Sequence, residues 1–383
     1  MKLLHTADWH VGKSIKGLSR LAEHEAVLAD IVRVADAERV DLVVVAGDVY
    51  ETTTPSPDAE ALVLRTFLEL RETGANVVVV SGNHDNALRF EAVRPVFAAL
   101  DITVTGLPRR PRDGGVVEIG CADGVGVRVA LVPFCSQRSI IRTAQLMELD
   151  AAQLAQTYDE RMRRLIARLV DDLPDDTVNI VAAHGMVAGA ALGGGERSAQ
   201  TYMDYWIGAA AFPASLHYVA LGHVHRTQRI GGAAPIWYSG SPLQIDFGDD
   251  DPSCNVLVVE ATPSQPAEVR PVSVTGGRRL RSLRGSLDEL RASAGATGDD
   301  YLRVFVDEPG RAGLAETVRE LLGDGVVDVQ LLRSEPGPGP DGPPRPHAAR
   351  TPHELFAEYL VRQDITDDRI ARLFGELLDE ETV

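Results

Sequence analysis

Short apolar runs recur through the chain, and several stop abruptly at a polar motif. Lys2 to His5, Asp41 to Ala46 and Asn76 to Val80 are rich in Val or Leu and too short for helices. Amphipathic helices fit between them, one marked by Leu28, Ile31, Val32 and Ala35 at the i, i+3, i+4, i+7 spacing of a helix packed on a sheet. This alternation predicts an α/β chain. Further strands are expected at Gly126 to Val132, Val178 to Ala183, His217 to Leu221, Pro235 to Tyr238 and Asn255 to Val258, with a long helix near Gln153 to Asp172. The later strands lie close together, joined by loops. A mixed sheet, or two packed mixed sheets flanked by helices, fits that spacing better than one purely parallel sheet.

The motifs that end these runs carry the chemistry. DWH occupies Asp8 to His10, GDVYE Gly47 to Glu51, GNHD Gly82 to Asp85 and GHVH Gly222 to His225, while His184 ends the run VNIVAAH. In α/β sheets the carboxyl ends of strands are where ligands bind, so residues distant in sequence can converge there. Taken singly, each motif reads as a cap, a turn or a structural histidine. Taken together, carboxylate, imidazole and amide oxygen without thiolate form a donor set for two divalent cations. Two such ions about 4 Å apart clamp a phosphoryl group and activate water, with a shared carboxylate as the natural bridge.

Composition narrows the partners. Charged residues make up 25% and hydrophobic residues 44%, the ordinary globular range. A net charge of −18 argues against a general nucleic-acid-binding surface, so any contact with DNA must rest on a local basic face, on metal ions or on a partner. Lys2, Lys13 and Lys16 are the only lysines. Cys121, Cys135 and Cys254 are odd in number and lack CxxC spacing, so a reducing cytoplasm is the expected compartment. No apolar stretch approaches a membrane span.

Four segments are expected: a main domain over 1–275, a small α/β domain over 276–334, a linker over 335–350 and a helical tail over 351–383. After Gly276 and Gly277 the pattern resets to strand, helix, strand, helix, strand, with Ser286 to Glu289 as a capping box. The Pro/Gly-rich run EPGPGPDGPPRPHAAR precludes regular structure. Beyond it, Thr351, Pro352 and Glu354 open a helix, and apolar stripes follow at Leu355, Phe356, Tyr359 and Leu360 and at Ile370, Leu373, Phe374, Leu377 and Leu378.

The ordered set DxH, GD, GNHD, H and GHxH resembles the calcineurin-like phosphoesterase superfamily. The flanks HTADWHVGK, HGMVAG, YVALGHVHRTQ and YSGSPLQIDFG resemble its SbcD nuclease-subunit branch. The likeness covers residue 1 to about residue 335, while the tail resembles that branch's ATPase-binding helices by position and pattern. The resemblance implies that Asp8, His10, Asp48 and His225 hold one ion and Asp48, Asn83, His184 and His223 the other, with manganese as the metal. By the same resemblance His84 faces the scissile phosphate, and Asp85 orients His84 or supports its loop. Glu51 departs from the pattern, since similar bacterial proteins commonly have Asp there.

What the resemblance implies further is exonuclease action on double-stranded DNA and endonuclease action on single strands or hairpins, in repair and recombination. ATP hydrolysis would come from an SbcC-type SMC-like ATPase, with the chain itself a homodimer; consistently, this sequence has no GxxxxGK[ST] phosphate loop. For DNA contact the candidates are Lys13, Lys16 and Arg20 after the first motif, and Arg278, Arg279, Arg281, Arg284 and Arg291 in the small domain. Two rivals are a stand-alone phosphodiesterase on small nucleotides or lipids, and a noncatalytic scaffold for an ATPase. The cap, linker and tail count against the first, the complete ligand set against the second.

Overall fold

A computed structural model describes residues 1–121, 124–136, 140, 151–192, 206–248 and 253–332, together with Phe356, Leu360, Ile370 and Phe374. The chain forms two compact units, Met1–Leu332 and Arg333–Val383.

The first unit is built on two six-stranded sheets. One has the spatial order Gln265–Ser273, Asn255–Thr262, Lys2–Thr6, Leu42–Ala46, Asn76–Val80, Ile102–Thr105. Its last four strands are parallel, and the first two join them antiparallel. The other runs Gln228–Ile230, Ile236–Tyr238, Tyr218–Gly222, Val178–His184, Gly126–Val132, Val116–Gly120, with four parallel inner strands and antiparallel edges. The expected mixed sheets are therefore both present.

Why the strands read as unbroken apolar runs follows from where their two faces go. Leu42, Val44, Val78 and Val80 point into a middle layer shared with Val127, Val129, Ile180 and Ala220 of the second sheet. Their neighbours Val43, Val45, Val77 and Val79 point outward beneath helices Leu21–Glu38, Pro57–Glu72 and Ala87–Ala98. Helix Ala151–Val170 covers the far face of the second sheet through Tyr158, Met162 and Ile166. With both faces of each sheet covered, alternation disappears and every position of Leu42–Ala46 is buried.

The expected helix boundaries have local causes. Ser56 caps Pro57–Glu72 by accepting from Ala59 N, with Pro57 at the first helical position, and Asn86 caps Ala87–Ala98 in the same way. Ser286 and Glu289 form the expected reciprocal capping box. That box opens helix Leu287–Ala292 after the first strand of a three-stranded parallel sheet, Leu280–Gly285, Tyr301–Val306 and Val326–Leu331, and the apolar cluster there includes Leu302, Val304, Leu314 and Val318.

In the second unit, the linker at 335–350 lies outside the described residues, as do most positions of the tail. Of the two tail stripes, Phe356, Leu360, Ile370 and Phe374 are described, and the rings of Phe356 and Phe374 stack at 3.9 Å between centroids.

Candidate metal centre

The two sheets bring their motif-bearing strand ends to one place. Lys2–Thr6, Leu42–Ala46 and Asn76–Val80 are parallel, so Asp8, Asp48 and Asn83 all follow the same edge of the first sheet. Val178–His184 and Tyr218–Gly222 are parallel in the second sheet, which puts His184 beside the GHVH loop. The loops are stitched by short bonds: Asp8 N donates to Gly47 O at 3.0 Å, His10 N to Asp48 O at 3.0 Å, and His223 N to the Asp8 carboxylate at 2.8 Å.

Backbone strain concentrates here. Asp8, His10, Asp48 and His223 all have positive φ, at 54°, 48°, 50° and 106°. For L-residues that conformation is costly and persists only where the surroundings enforce it. Two glycines make the approach possible. A Cβ on Gly82 would overlap the Asp48 carboxylate and backbone nitrogen, and one on Gly47, whose φ is 91°, would overlap the His184 ring.

Among the described residues, three groups of buried side chains have ligand atoms within 4.8 Å of one another: Asp8, His10 and His225; Asp48, His184 and His223; and His10, Asp48 and His84. Asp48 belongs to two of them, with its Oδ2 3.7 Å from His10 Nε2 and 3.4 Å from His184 Nε2. Asn83 joins the second group, its Oδ1 lying 2.9 Å from His184 Nε2 and 2.8 Å from His223 Nδ1. All seven expected ligands thus converge.

The hydrogen bonds also fix tautomers. His184 Nδ1 lies 2.8 Å from the carbonyl of Ala46, and a carbonyl can only accept, so Nδ1 carries the proton and Nε2 faces Asn83 and Asp48. His10 Nδ1 meets Glu51 Oε2 at 2.9 Å, while its Nε2 stands 3.2 Å from His225 Nε2. Two imidazole nitrogens facing each other beside two carboxylates make a donor set that a cation satisfies, so the residues present fit divalent metal.

Charge agrees with that fit. Burial pushes His10 down to about 4, against the pull of Glu51 and Asp48, and burial with His184 pushes His223 down to about 3. Both rings are therefore neutral near pH 7, the state a ligand needs. Burial opposes the charged form of His184 as well, yet Asp48 and Asp8 hold it up at about 9, so a proton would compete with a divalent ion for its Nε2. Burial likewise opposes the Asp48 carboxylate, but His184, His10 and His84 keep it well below the ordinary carboxylate range.

His84 packs edge-on to His10, with ring centroids 4.6 Å apart, and its Nδ1 lies 2.7 Å from the carbonyl of Glu51. That bond places a proton on Nδ1. Asp85 accepts from Gly82 N, Tyr50 N and Val49 N at 2.8, 2.9 and 3.3 Å. Of its two expected roles, these contacts correspond to loop support rather than orientation of His84. Burial and Asp48 push Asp85 up to about 6, opposed by those three donors.

The cations expected at DNA are placed differently from one another. Lys13 pairs with Glu51 at 2.7 Å, and Lys16 pairs with Asp328 of the small sheet at 3.2 Å. Arg20 corrects the expectation: its side chain is fully buried, bidentate on Glu23 and bonded to the carbonyls of Gln244 and Arg278. It has no exposed face for a phosphate. In the small sheet, Arg281 pairs with Asp300 and Arg278 lies over the Tyr301 ring.

Sequence reasoning missed two residues. Phe134, in the loop after Gly126–Val132, sets its ring 6.3 Å from His184 and 6.4 Å from His223. Ser241 Oγ lies 2.7 Å from the carbonyl of Asp8. Phe134 sits just past a strand end, the same signal that marks the metal motifs.

A family model described as calcineurin-like phosphoesterase matches residues 1–227. The SbcD component of the nuclease SbcCD from Bacillus subtilis (strain 168) is 33% identical over 287 residues, covering 73% of this chain and 71% of that protein. Its counterpart from Escherichia coli (strain K12) is 30% identical over 351 residues, with 87% and 82% covered. The one from Rhodobacter capsulatus is 30% identical over 385 residues, with 93% and 94% covered.

Proposed function

The chain belongs to the SbcD nuclease subunits of the calcineurin-like phosphoesterase family, and from that membership we propose that it hydrolyses DNA as an exonuclease on double-stranded ends and an endonuclease on single strands or hairpins. The observation that carries the reading is the convergence of Asp8, His10, Asp48, Asn83, His184, His223 and His225, all at strand ends, on one cluster sharing Asp48. Asp8, His10, Asp48 and His225 would hold one ion and Asp48, Asn83, His184 and His223 the other. Bound divalent ions supply Lewis-acid polarisation of the phosphodiester and lower the pKa of water. Manganese is the proposed metal, because imidazole nitrogen suits transition metals and magnesium prefers oxygen shells.

The chain's own residues supply the remaining parts. With Nδ1 donating to the Glu51 carbonyl, Nε2 is the atom assigned to the phosphate, and it is the doubly protonated ring whose Nε2–H gives a proton to the departing oxygen or a hydrogen bond to the phosphoryl oxygens. Asp85 holds the Gly82 and Tyr50 amides in one carboxylate grip, which keeps the GNHD loop against the GDVYE loop. Buried His10 and His223 stay neutral for ligation.

Domains and partners follow the same assignment. Residues 276–334 form the DNA cap, and the tail at 351–383, tethered through 335–350, docks on an SbcC-type SMC-like ATPase by a helix-in-groove contact. Lys16 retains 46% of its side-chain exposure and remains a candidate for the DNA backbone, whereas Lys13 must leave Glu51 to serve there. A homodimer is supported by Leu64 and Leu68 of Pro57–Glu72 and Leu88 and Val96 of Ala87–Ala98, all exposed on helices joined through Phe67 and Phe97. The cytoplasm is the proposed compartment.

Purified chain should cleave linear duplex and hairpin DNA with Mn2+ and lose that activity in chelator. Cleavage confined to small diesters would favour a stand-alone phosphodiesterase, and no hydrolysis with metal bound would favour a scaffold.

A further inference from the structure

Glu51 touches three functional groups at once, and neither the ligand set nor the assigned chemistry uses its carboxylate. Its Oε2 lies 2.9 Å from His10 Nδ1, its Oε1 2.7 Å from Lys13 Nζ, and its carbonyl 2.7 Å from His84 Nδ1. Its own amide donates to Val11 O at 3.2 Å, so the backbone is pinned between the first two motif loops.

These contacts have a direction. A carboxylate at this position accepts only, so His10 Nδ1 must be the protonated nitrogen, and Nε2 carries the lone pair toward Asp8, His225 and Asp48. The rotamer is fixed with the tautomer, because Lys13 holds the second carboxylate oxygen and keeps the first from swinging away. An aspartate with the same backbone would be one methylene shorter, about 1.5 Å, and could not keep both bonds at these lengths. Glutamate is therefore matched to this spacing.

We propose that the Glu51 carboxylate is a positioning residue for His10: it sets the ring's tautomer and direction, and thereby the affinity of the ion held by Asp8, His10 and His225. The inference rests on the metal-centre reading above. Partners of this kind on metal-bound histidines typically contribute 10- to 100-fold in metal affinity.

The test titrates Mn2+ into the full-length, metal-stripped chain by calorimetry, comparing wild type with Glu51→Ala, Glu51→Gln and Glu51→Asp. Glu51→Ala should weaken one of two sites about 10- to 100-fold and leave the other unchanged. Glu51→Gln should lose less, because its amide oxygen still accepts from His10 Nδ1 without the charge, and this isosteric change answers the question if the alanine variant misfolds. Glu51→Asp should resemble Glu51→Ala more than wild type. Two wild-type affinities in Glu51→Ala, or in Glu51→Gln equal loss at both sites, would overturn the proposal. Wild-type chain that takes up no Mn2+ would overturn the metal centre and this inference with it, whereas normal wild-type uptake indifferent to Glu51 overturns this inference alone.

Discussion

Arg20 offers a quantitative check on how the first motif is tied to the rest of the molecule. Its guanidinium is fully buried, with Nε and Nη2 on the two Glu23 oxygens at 2.9 and 2.8 Å and Nη2 also 3.2 Å from the carbonyl of Arg278. Glu23 is the one carboxylate in this set, the other partners being carbonyls. Glu23→Ala therefore strands a buried cation, and breaking a buried pair from one side costs about 3–5 kcal/mol. Urea unfolding of the metal-stripped chain at pH 7 reads that loss. A cost below about 1 kcal/mol would show that the pair behaves as a solvated surface bridge, refuting the burial argument. The complementary change, Arg20→Met, removes the charge while keeping an aliphatic stem. If Arg20 only clamps Glu23, the salt dependence of duplex binding stays at its wild-type slope; a phosphate contact would instead reduce that slope by about 0.9.

Three further outcomes are expected. His84→Ala should keep wild-type Mn2+ stoichiometry in elemental analysis yet lose about 10²- to 10⁴-fold in hydrolysis rate, and stoichiometric metal loss would move His84 among the ligands. Burial pushes His5 down to about 3 and His24 down to about 4 from 6.5, so the unfolded chain binds more protons below pH 6.5. Their stabilising contribution is full above that pH and falls by about 2 kcal/mol each at pH 5; His24→Gln should flatten the change in urea midpoint between pH 7 and 5, and an unaltered pH dependence would contradict this. A chain ending at Arg350 should stay folded, bind metal and cleave simple diesters, but fail to co-purify with the proposed SbcC-type ATPase; retained complex formation would refute the docking role.

The strands were legible because both faces of each sheet are covered, which makes Leu42 to Ala46 and Val77 to Val80 uninterrupted apolar runs that no amphipathic helix imitates. The candidate ligand positions were legible because each stands within a few residues of such a run's end, where parallel strands must deliver them together. Edge strands were harder: Gln265–Ser273 is largely exposed, and its polar, proline-containing sequence gives little strand signal. Side-chain engagement was not legible at all. Glu23, three residues on, is a local partner for Arg20, but the carbonyls of Gln244 and Arg278 that complete its burial lie far off in sequence, while Lys16 stays half-exposed against Asp328. Glu51 stood out as a departure from a pattern, but its bond to His10 exists only because Val11 and Tyr50 bring the two loops side by side.

Asp48 is the carboxylate common to both halves of the centre, 3.7 Å from His10 Nε2 and 3.4 Å from His184 Nε2, and a shared two-ion site stands or falls with it. Metal stoichiometry and affinity of Asp48→Asn, set beside wild type, test this directly. Wild type should take up two Mn2+ per chain, whereas the variant should show weakened uptake at both sites and no hydrolysis. Two ions bound at wild-type affinity with normal turnover would contradict a shared centre.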